Sequence, residues 1–400
     1  METVPITIIG GGAVGCAIAH TLSQSTDRQI AVVERNSGIR AENQSSRNSG
    51  VVHSPIHYSR SKMPLKARFC AAGNKLLYDF CQRHNVPCRR TGKLIVATDA
   101  LEADYLEDVL KIATDNAVSG VRLIDGRAVA EYEPNVKATA ALYVPTSGII
   151  DSFEFVNKLF TLASVQGAIF AFGTKVIGIE PSSSGFVVKT ETNGKADSFE
   201  TGLLINASGL YSDEVARMVE PDSPYEMELI KGEAAKFYKT RQNISMRGMS
   251  VYPVPRGYWL NGERAEVPFA EYQKLLSEGK VFKSLGVHLT PTFNAPGSRE
   301  IGETVTIGPS YSAPQNKEDY SQARGTEYYL KMAKPFFPNL ERSDITLHQA
   351  GIRAKLKGHA DFVIERSRAY PQLINLIGID SPGLTASLAI ARYVGGLAKE

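Results

Sequence analysis

Near the start of the chain, Gly10-Gly11-Gly12-Ala13-Val14-Gly15 can bring bare backbone against a phosphate, because glycine leaves free the space a side chain would fill. The apolar run Ile6-Thr7-Ile8-Ile9 precedes it, of the kind a buried parallel strand shows, and a helical stretch from about Ala13 to Ser23 follows. In that setting Gly10 permits the tight turn, Gly12 lets the main chain approach a pyrophosphate, and Gly15 lets helix and strand pack closely. The start of the helix offers N–H groups and a partial positive charge to the phosphates. A second strand, Gln29 to Val33, ends in Glu34, nineteen residues after Gly15, where a carboxylate can accept hydrogen bonds from ribose hydroxyls. A lone glycine fingerprint is a weak signal. Strand, fingerprint, helix, strand and acid in this order specify a dinucleotide site.

That unit does not separate one dinucleotide from another, but three later turns add to it. A strand over 173–179 follows a helix that begins near Asp151. Leu203 to Ile205 run into Asn206-Ala207-Ser208-Gly209, small residues at a strand-to-helix turn. Leu373 to Ile379 run into Asp380-Ser381-Pro382-Gly383 and a helix from about Leu384 to Leu397. Such turns occur in any doubly wound sheet, yet an elongated ligand held by several separated segments explains the set better.

Four hundred residues suffice for two domains, and 43% hydrophobic with 22% charged residues describes an ordinary globular chain. A net charge of +3 gives no argument for nucleic acid, and none is expected as a partner. Charge is unevenly distributed: between Arg40 and Lys93 there are eleven Lys and Arg against two acids, Glu42 and Asp79. Such a run is a solvated face, or a field that draws in an anionic substrate or an anionic membrane surface. No stretch reaches the roughly 18–20 apolar residues of a spanning helix. The N-terminus enters a strand at Ile6, which leaves no room for a signal or transit peptide. Cys16, Cys70, Cys81 and Cys88 lack metal-ligand or redox spacing, and the histidines do not pair with acids or cysteines as ligands do, so reduced thiols and no metal are expected.

Ordered segments spread over nearly the whole chain resemble the D-amino-acid-oxidase-like superfamily of flavoproteins and, within it, the L-2-hydroxyglutarate dehydrogenase/oxidase family. They include Arg47-Asn48-Ser49-Gly50-Val51-Val52-His53-Ser54, Leu65-Lys66-Ala67-Arg68-Phe69-Cys70 and Gly92-Lys93-Leu94-Ile95-Val96-Ala97. Tyr252-Pro253-Val254-Pro255, Leu285-Gly286-Val287-His288-Leu289-Thr290 and Gly351-Ile352-Arg353-Ala354-Lys355 follow. Asp361-Phe362-Val363-Ile364 and Gly378-Ile379-Asp380-Ser381-Pro382-Gly383-Leu384-Thr385-Ala386-Ser387-Leu388 complete the set. The chain departs from the family pattern at Pro55-Ile56-His57-Tyr58, in extra length between Pro255 and Leu285, and after Gly308-Pro309, and these departures bear on the substrate.

The resemblance implies FAD, with its pyrophosphate over Gly10, Gly12, Ala13, Val14 and Gly15, and its ribose on Glu34 beside Arg35. It puts adenine at Val176, and backbone near Ala207, Ser208 and Gly209 along the cofactor. Arg47, Asn48, Ser49, Gly50 and Val51 on one side, and Gly383, Leu384 and Thr385 on the other, would bracket the isoalloxazine. A helix beginning near Leu384 turns its positive end toward a reduced flavin's charge. Attachment is expected to be non-covalent, since the cysteine through which some relatives tether FAD near the C-terminus does not exist here.

Oxidising a 2-hydroxy acid requires a clamp for the carboxylate, a base for the hydroxyl proton, and C2 aimed at flavin N5. Arg353 is the candidate clamp, because guanidinium matches carboxylate geometry bidentately. His288 and His53 are the candidate bases, with an ordinary imidazole pKa of about 6.5 near working pH. Lys66, Arg68 and Tyr252 rank behind them. Each has an ordinary structural alternative, as a paired arginine, a hydrogen-bonded core histidine or a packing residue.

The expected fold is α/β with an α+β substrate domain. A Rossmann-like FAD-binding domain over 1–75, 150–215 and 345–400 would interleave with a mixed or antiparallel-sheet substrate domain over 76–149 and 216–344. The expected function is FAD-dependent oxidation of L-2-hydroxyglutarate, or a similar 2-hydroxy acid, to the 2-oxo acid by hydride transfer to flavin N5, with a quinone or oxygen accepting the electrons. The alternatives are oxidation of an amino acid or secondary amine, and a non-catalytic flavin-binding protein. A cytoplasmic location is expected; peripheral contact with the inner membrane face suits the basic segment, and a mature mitochondrial form stays open.

Overall fold

The computed structural model describes residues 2–259, 265–284 and 286–399. Its first sheet has a parallel centre written in continuous apolar runs. Leu373–Ile377 and Ile30–Val33 are buried throughout, and Thr3–Ile9 over its last four residues. Strands covered on both faces need such runs rather than alternation. Lys195–Asn206 pairs in parallel with Thr3–Ile9, Ile6 beside Leu203, and on its other side with Leu373–Ile377. Ile30–Val33 and Ile169–Ala171 extend the parallel set beyond Thr3–Ile9. Thr174–Ser182 and Gly185–Thr192 form an antiparallel meander with the first half of Lys195–Asn206.

The helices Ala13–Ser23, Pro64–His84, Ser152–Val165 and Gly383–Leu397 share one core with this sheet through Ile8, Ile18, Leu77, Phe155 and Ile390. Val215 and Val219 of the Ser212–Val219 helix pack with the meander in a separate cluster. The result is the layered, Rossmann-like α/β arrangement expected from the sequence, with the strand-to-helix turns after Ile9, Asn206 and Ile377 at one end of the sheet.

A second, mixed sheet runs in the order Ile345–Leu356, Met227–Tyr238, Ile301–Ser312, His288–Phe293, Ser250–Pro253, Lys93–Ala97, Ala140–Val144, Arg122–Asp125. Its pairings are antiparallel except that between Ser250–Pro253 and Lys93–Ala97. A small sheet of Val51–Val52, Gly148–Ile150 and Cys88–Arg89 lies at the passage between the two.

The architecture redraws two expected boundaries. Ile345–Leu356 pairs along its length with Met227–Tyr238, with Arg353 opposite Ile230, so it belongs to the second sheet and not to the dinucleotide unit. Position 75 falls inside the uninterrupted Pro64–His84 helix. The stretch 281–289 is divided between two sheets. Val281–Ser284 pairs with Arg256–Trp259, Gly286 turns the chain at φ +66°, and the sheet strand begins at His288. Leu285 of that motif lies outside the described residues. The charged stretch of the extra length forms the Phe269–Ser277 helix.

Cys16, Cys70 and Cys81 are buried, Cys88 is half-buried, and none joins a disulfide. Among the described residues no helix is long and apolar enough to cross a membrane, and no group of three His, Cys, Asp or Glu is arranged to hold a metal.

The Pro64–His84 and Gly383–Leu397 helices touch backbone to backbone at Gly73, where a Cβ would stand 2.3 Å from the Thr385 carbonyl oxygen. Gly73→Ala should therefore cost about 1–3 kcal/mol by overpacking, read as a lowered denaturant midpoint.

Candidate active site

A cavity of about 1380 Å³ opens along the strand ends of the first sheet and reaches the face of the second. Small-molecule sites usually occupy about 300–1,000 Å³, so this one has room for an elongated ligand and a second, smaller molecule.

One end is made by the glycine turn. Gly10 sits at φ +105°, with its Cβ position 2.5 Å from the Ala207 carbonyl oxygen, and the Cβ position of Gly15 falls 1.9 Å from the Gly10 carbonyl. No side chain fits at either point, so helix, strand and the Ala207 turn close on one another. The Glu34 carboxylate accepts from Gly11 N at 2.6 Å and Asn36 N at 2.8 Å, which ties the first turn to the end of the second strand. Ser45 Oγ accepts from Ala13 N at 2.9 Å at the helix start.

Gly10, Gly12, Ala13, Val14, Glu34, Arg35, Val176, Ala207, Ser208 and Gly209 all line this end. Gly15 lies behind the wall and acts only through packing. Over its rim, Arg35 stacks on Tyr211 at 4.1 Å and pairs with Glu318 at 2.9 Å, while Arg47 stacks on Tyr320 at 4.1 Å. The segment after Gly308-Pro309, atypical in sequence, thus reaches back to the first sheet.

The middle is formed by the 47–54 segment and the start of the C-terminal helix. Arg47, Asn48, Ser49, Val51, His53, Gly383 and Leu384 line it, whereas Gly50 and Thr385 stand behind. Thr385 nevertheless places the site, because its Oγ1 accepts from His53 N at 3.0 Å. Asn74, on the Pro64–His84 helix, donates to the His53 carbonyl at 2.9 Å and to Thr146 O at 3.0 Å.

At the far end His53, His288, Tyr252, Tyr311, Lys66 and Arg353 face common space. Asp380, at the strand-to-helix turn, pairs with Arg353 Nη2 at 2.5 Å and with Lys66 Nζ at 2.7 Å; its side chain is 2% exposed. Burial alone would lower the Arg353 pKa, but Asp380 and the neighbouring Tyr311 hold the guanidinium above its ordinary value. The His288 ring stacks on Tyr252 with centroids 3.7 Å apart and planes 7° from parallel, and its Nδ1 lies 3.3 Å from Thr290 Oγ1. His53 Nε2 is 3.5 Å from Ser381 Oγ.

Burial holds both imidazoles well below the ordinary histidine value, and nearby positive charge adds to this: Lys93 and Arg353 for His53, Lys93 for His288. Both rings are therefore neutral at working pH. Arg68, a weaker candidate, is exposed on the helix surface, over Phe69 and Tyr393, and takes no part.

Two residues of this end escape the sequence reading. Asp380 sits in a quoted motif without a role, though an acid at a strand-to-helix turn is a visible signal. Lys93 is a lysine inside a strand whose five residues are all buried. That anomaly shows only once the strand's two covered faces are known.

A family model described as FAD dependent oxidoreductase (DAO) matches residues 5–397. The mitochondrial L-2-hydroxyglutarate dehydrogenase of Arabidopsis thaliana is 31% identical, over 98% of this chain and 83% of its own. The L-2-hydroxyglutarate dehydrogenase of Indibacter alkaliphilus is 28% identical over 97% of both chains. Among solved structures, the FAD-bound L-alpha-glycerophosphate oxidase of Mycoplasma pneumoniae superposes with a TM-score of 0.84, at 24% identity, over 100% of this chain and 96% of that one.

Removing the Asp380 charge strands Lys66 and Arg353 beside each other. Asp380→Asn should destabilise the protein by about 3–5 kcal/mol, measured by denaturant unfolding, the usual cost of leaving a buried ion without its partner.

Proposed function

The chain belongs to the DAO family of FAD-dependent oxidoreductases, and on that premise we propose that it oxidises L-2-hydroxyglutarate, or a closely similar 2-hydroxy acid, to the 2-oxo acid. The observation that carries this reading is the far end of the cavity, where an Asp380-held guanidinium and two neutral imidazoles face one space.

The residues present fit FAD. Gly10, Gly12, Ala13 and Val14 form a cradle that side chains would fill, and they would hold the pyrophosphate. Glu34 retains lone pairs for ribose hydroxyls and Val176 offers an apolar surface for adenine. The Arg47–Val51 backbone and the Gly383–Thr385 helix start would flank the isoalloxazine, the helix end favouring negative charge. When bound, FAD supplies the two-electron acceptor for the C2 hydride and passes the electrons to a quinone or oxygen.

The protein's own part is to bind, orient and deprotonate. The Asp380 contact occupies one Nη of Arg353 and fixes the plane of the guanidinium, leaving the rest of its fork for the substrate carboxylate. The hydroxyl proton is taken by a neutral imidazole: His288 is assigned the base, with His53 facing the same space as the second acceptor. The Tyr252 and Tyr311 rings form the wall beside them, Tyr252 buried and Tyr311 half-buried. The basic segment serves inside and out: Lys66 and Lys93 turn inward, while Arg60, Arg68 and Lys75, with Arg392, line a shallow outer depression suited to peripheral contact with an anionic membrane.

Turnover with a dye acceptor across a substrate panel tests the assignment. L-2-hydroxyglutarate should be oxidised, and amino acids and secondary amines should not. A preference for amines would move the protein to another reaction, and flavin without turnover of any acid or amine would make it a non-catalytic binder. His288→Ala should lower kcat by about 10²–10⁴-fold if it is the base. Because both imidazoles are held neutral, the acid limb of the kcat/KM profile should break well below the ordinary histidine value of about 6.5. A break at or above that value would remove the histidine assignment.

A further inference from the structure

Lys93 opens a fully buried strand, and its side chain is 1% exposed. Its Nζ lies 3.8 Å from the centroid of the Tyr252 ring, on which His288 also stacks. Among the described residues no carboxylate pairs with it. Asp380, the buried acid of this end, is already shared by Lys66 and Arg353. The Cys70 thiol nearby is driven by burial far above its ordinary value and supplies no negative charge. An ammonium taken out of water with no counter-ion is costly to the fold, and an anion brought beside it would offset that cost. Lys93 does not itself line the cavity, whereas Tyr252, His288 and His53 do.

From this arrangement we infer that Lys93 is a specificity-determining positioning residue for a dicarboxylate, taking up a proton when the substrate's second carboxylate enters beside Tyr252 and His288. The inference rests on the hydroxy-acid reading above and deepens it: Arg353 receives the first carboxylate, and Lys93, acting through the aromatic wall, answers the second. A monocarboxylate fills the Arg353 site and calls up no proton.

The neighbouring groups leave Lys93 free to respond near neutral pH. Burial pushes it down to about 7. Burial holds His53 and His288 well below the same range and raises Tyr252 and Cys70 above it, while Arg353, paired with Asp380, stays charged throughout. A second negative charge in the cavity favours the ammonium and raises its pKa. Below about pH 7 Lys93 is already charged, so affinity for the dianion is full and flat. Between that pH and the higher pKa of the complex, binding carries one proton with it, and affinity falls about tenfold per pH unit.

The test uses the flavin-loaded protein and two ligands without a reacting hydroxyl, glutarate as the dianion and butyrate as the monoanion. Their Kd values are read from the flavin spectrum between about pH 6 and about pH 9, with proton uptake on glutarate binding followed by an indicator dye near pH 8. Glutarate Kd should rise about tenfold per pH unit in the alkaline range, with uptake close to one proton, and butyrate Kd should stay flat. Lys93→Met should bind glutarate weakly and without the slope; Lys93→Arg, charged at every pH, should bind it tightly and without the slope. A slope that survives in Lys93→Met, equal slopes for the two ligands, or no proton uptake by the wild type overturns the inference. The wild-type arm decides even if a variant fails to hold flavin. If glutarate shows the slope but L-2-hydroxyglutarate is not oxidised, the substrate reading fails and Lys93 keeps its role.

Discussion

A buried carboxylate, Asp380, bridges the two sheets of this molecule. Asp380 leaves the end of the Leu373–Ile377 strand in the first sheet and meets Lys66 from the long helix and Arg353 from the edge strand of the second sheet. The pair energies of such buried ions roughly cancel their desolvation, so the triad is not a source of net stability. Its value is geometric: it fixes a guanidinium at one point on the cavity wall, next to the turn that starts the C-terminal helix. Thr385, in the first turn of that helix, fixes His53 through its backbone, so guanidinium and histidine are set by the same few residues.

The electrostatics of the site follow from that arrangement. Lys66 and Asp380 neutralise each other and leave Arg353 as a permanent positive charge, with Lys93 a conditional one behind Tyr252. These charges and burial keep His53 and His288 neutral, the state in which an imidazole can accept a proton. A pocket built this way favours an anion and keeps an imidazole in the proton-accepting form by the same means.

What was legible in the sequence was local in its physics. The glycine turn, its flanking strands and Glu34 lie within one β-α-β unit, where spacing alone dictates contact, and the structure brings them together as their order implies. The C-terminal strand and helix were readable from an apolar run ending at a Pro-Gly turn. Arg353 and His288 were legible only through family resemblance, since an arginine or histidine on a strand carries no mark of the cavity it faces. Long-range pairing hid the rest. The boundary at 345 failed because alternating burial in Ile345–Leu356 suits either sheet until Met227–Tyr238 is known to lie beside it. Gly286 turns the chain at positive φ, although the apolar Val287 and Leu289 that follow it carry the pattern of a continuous strand. Lys93 acquires meaning only when Tyr252, 159 positions further along the chain, closes over it.

In the proposed reaction C2 of a bound 2-hydroxy acid delivers its hydrogen directly to the flavin, in a cavity lined by Asp380, Arg353, His53 and His288. The most direct measurement is a single-turnover reaction of the flavin-loaded protein with L-2-hydroxyglutarate in the absence of oxygen, comparing ordinary substrate with substrate deuterated at C2. Rapid loss of the oxidised flavin band is expected, slower with the deuterated acid. A flavin that keeps its colour, or bleaches equally fast with either isotope, would contradict it.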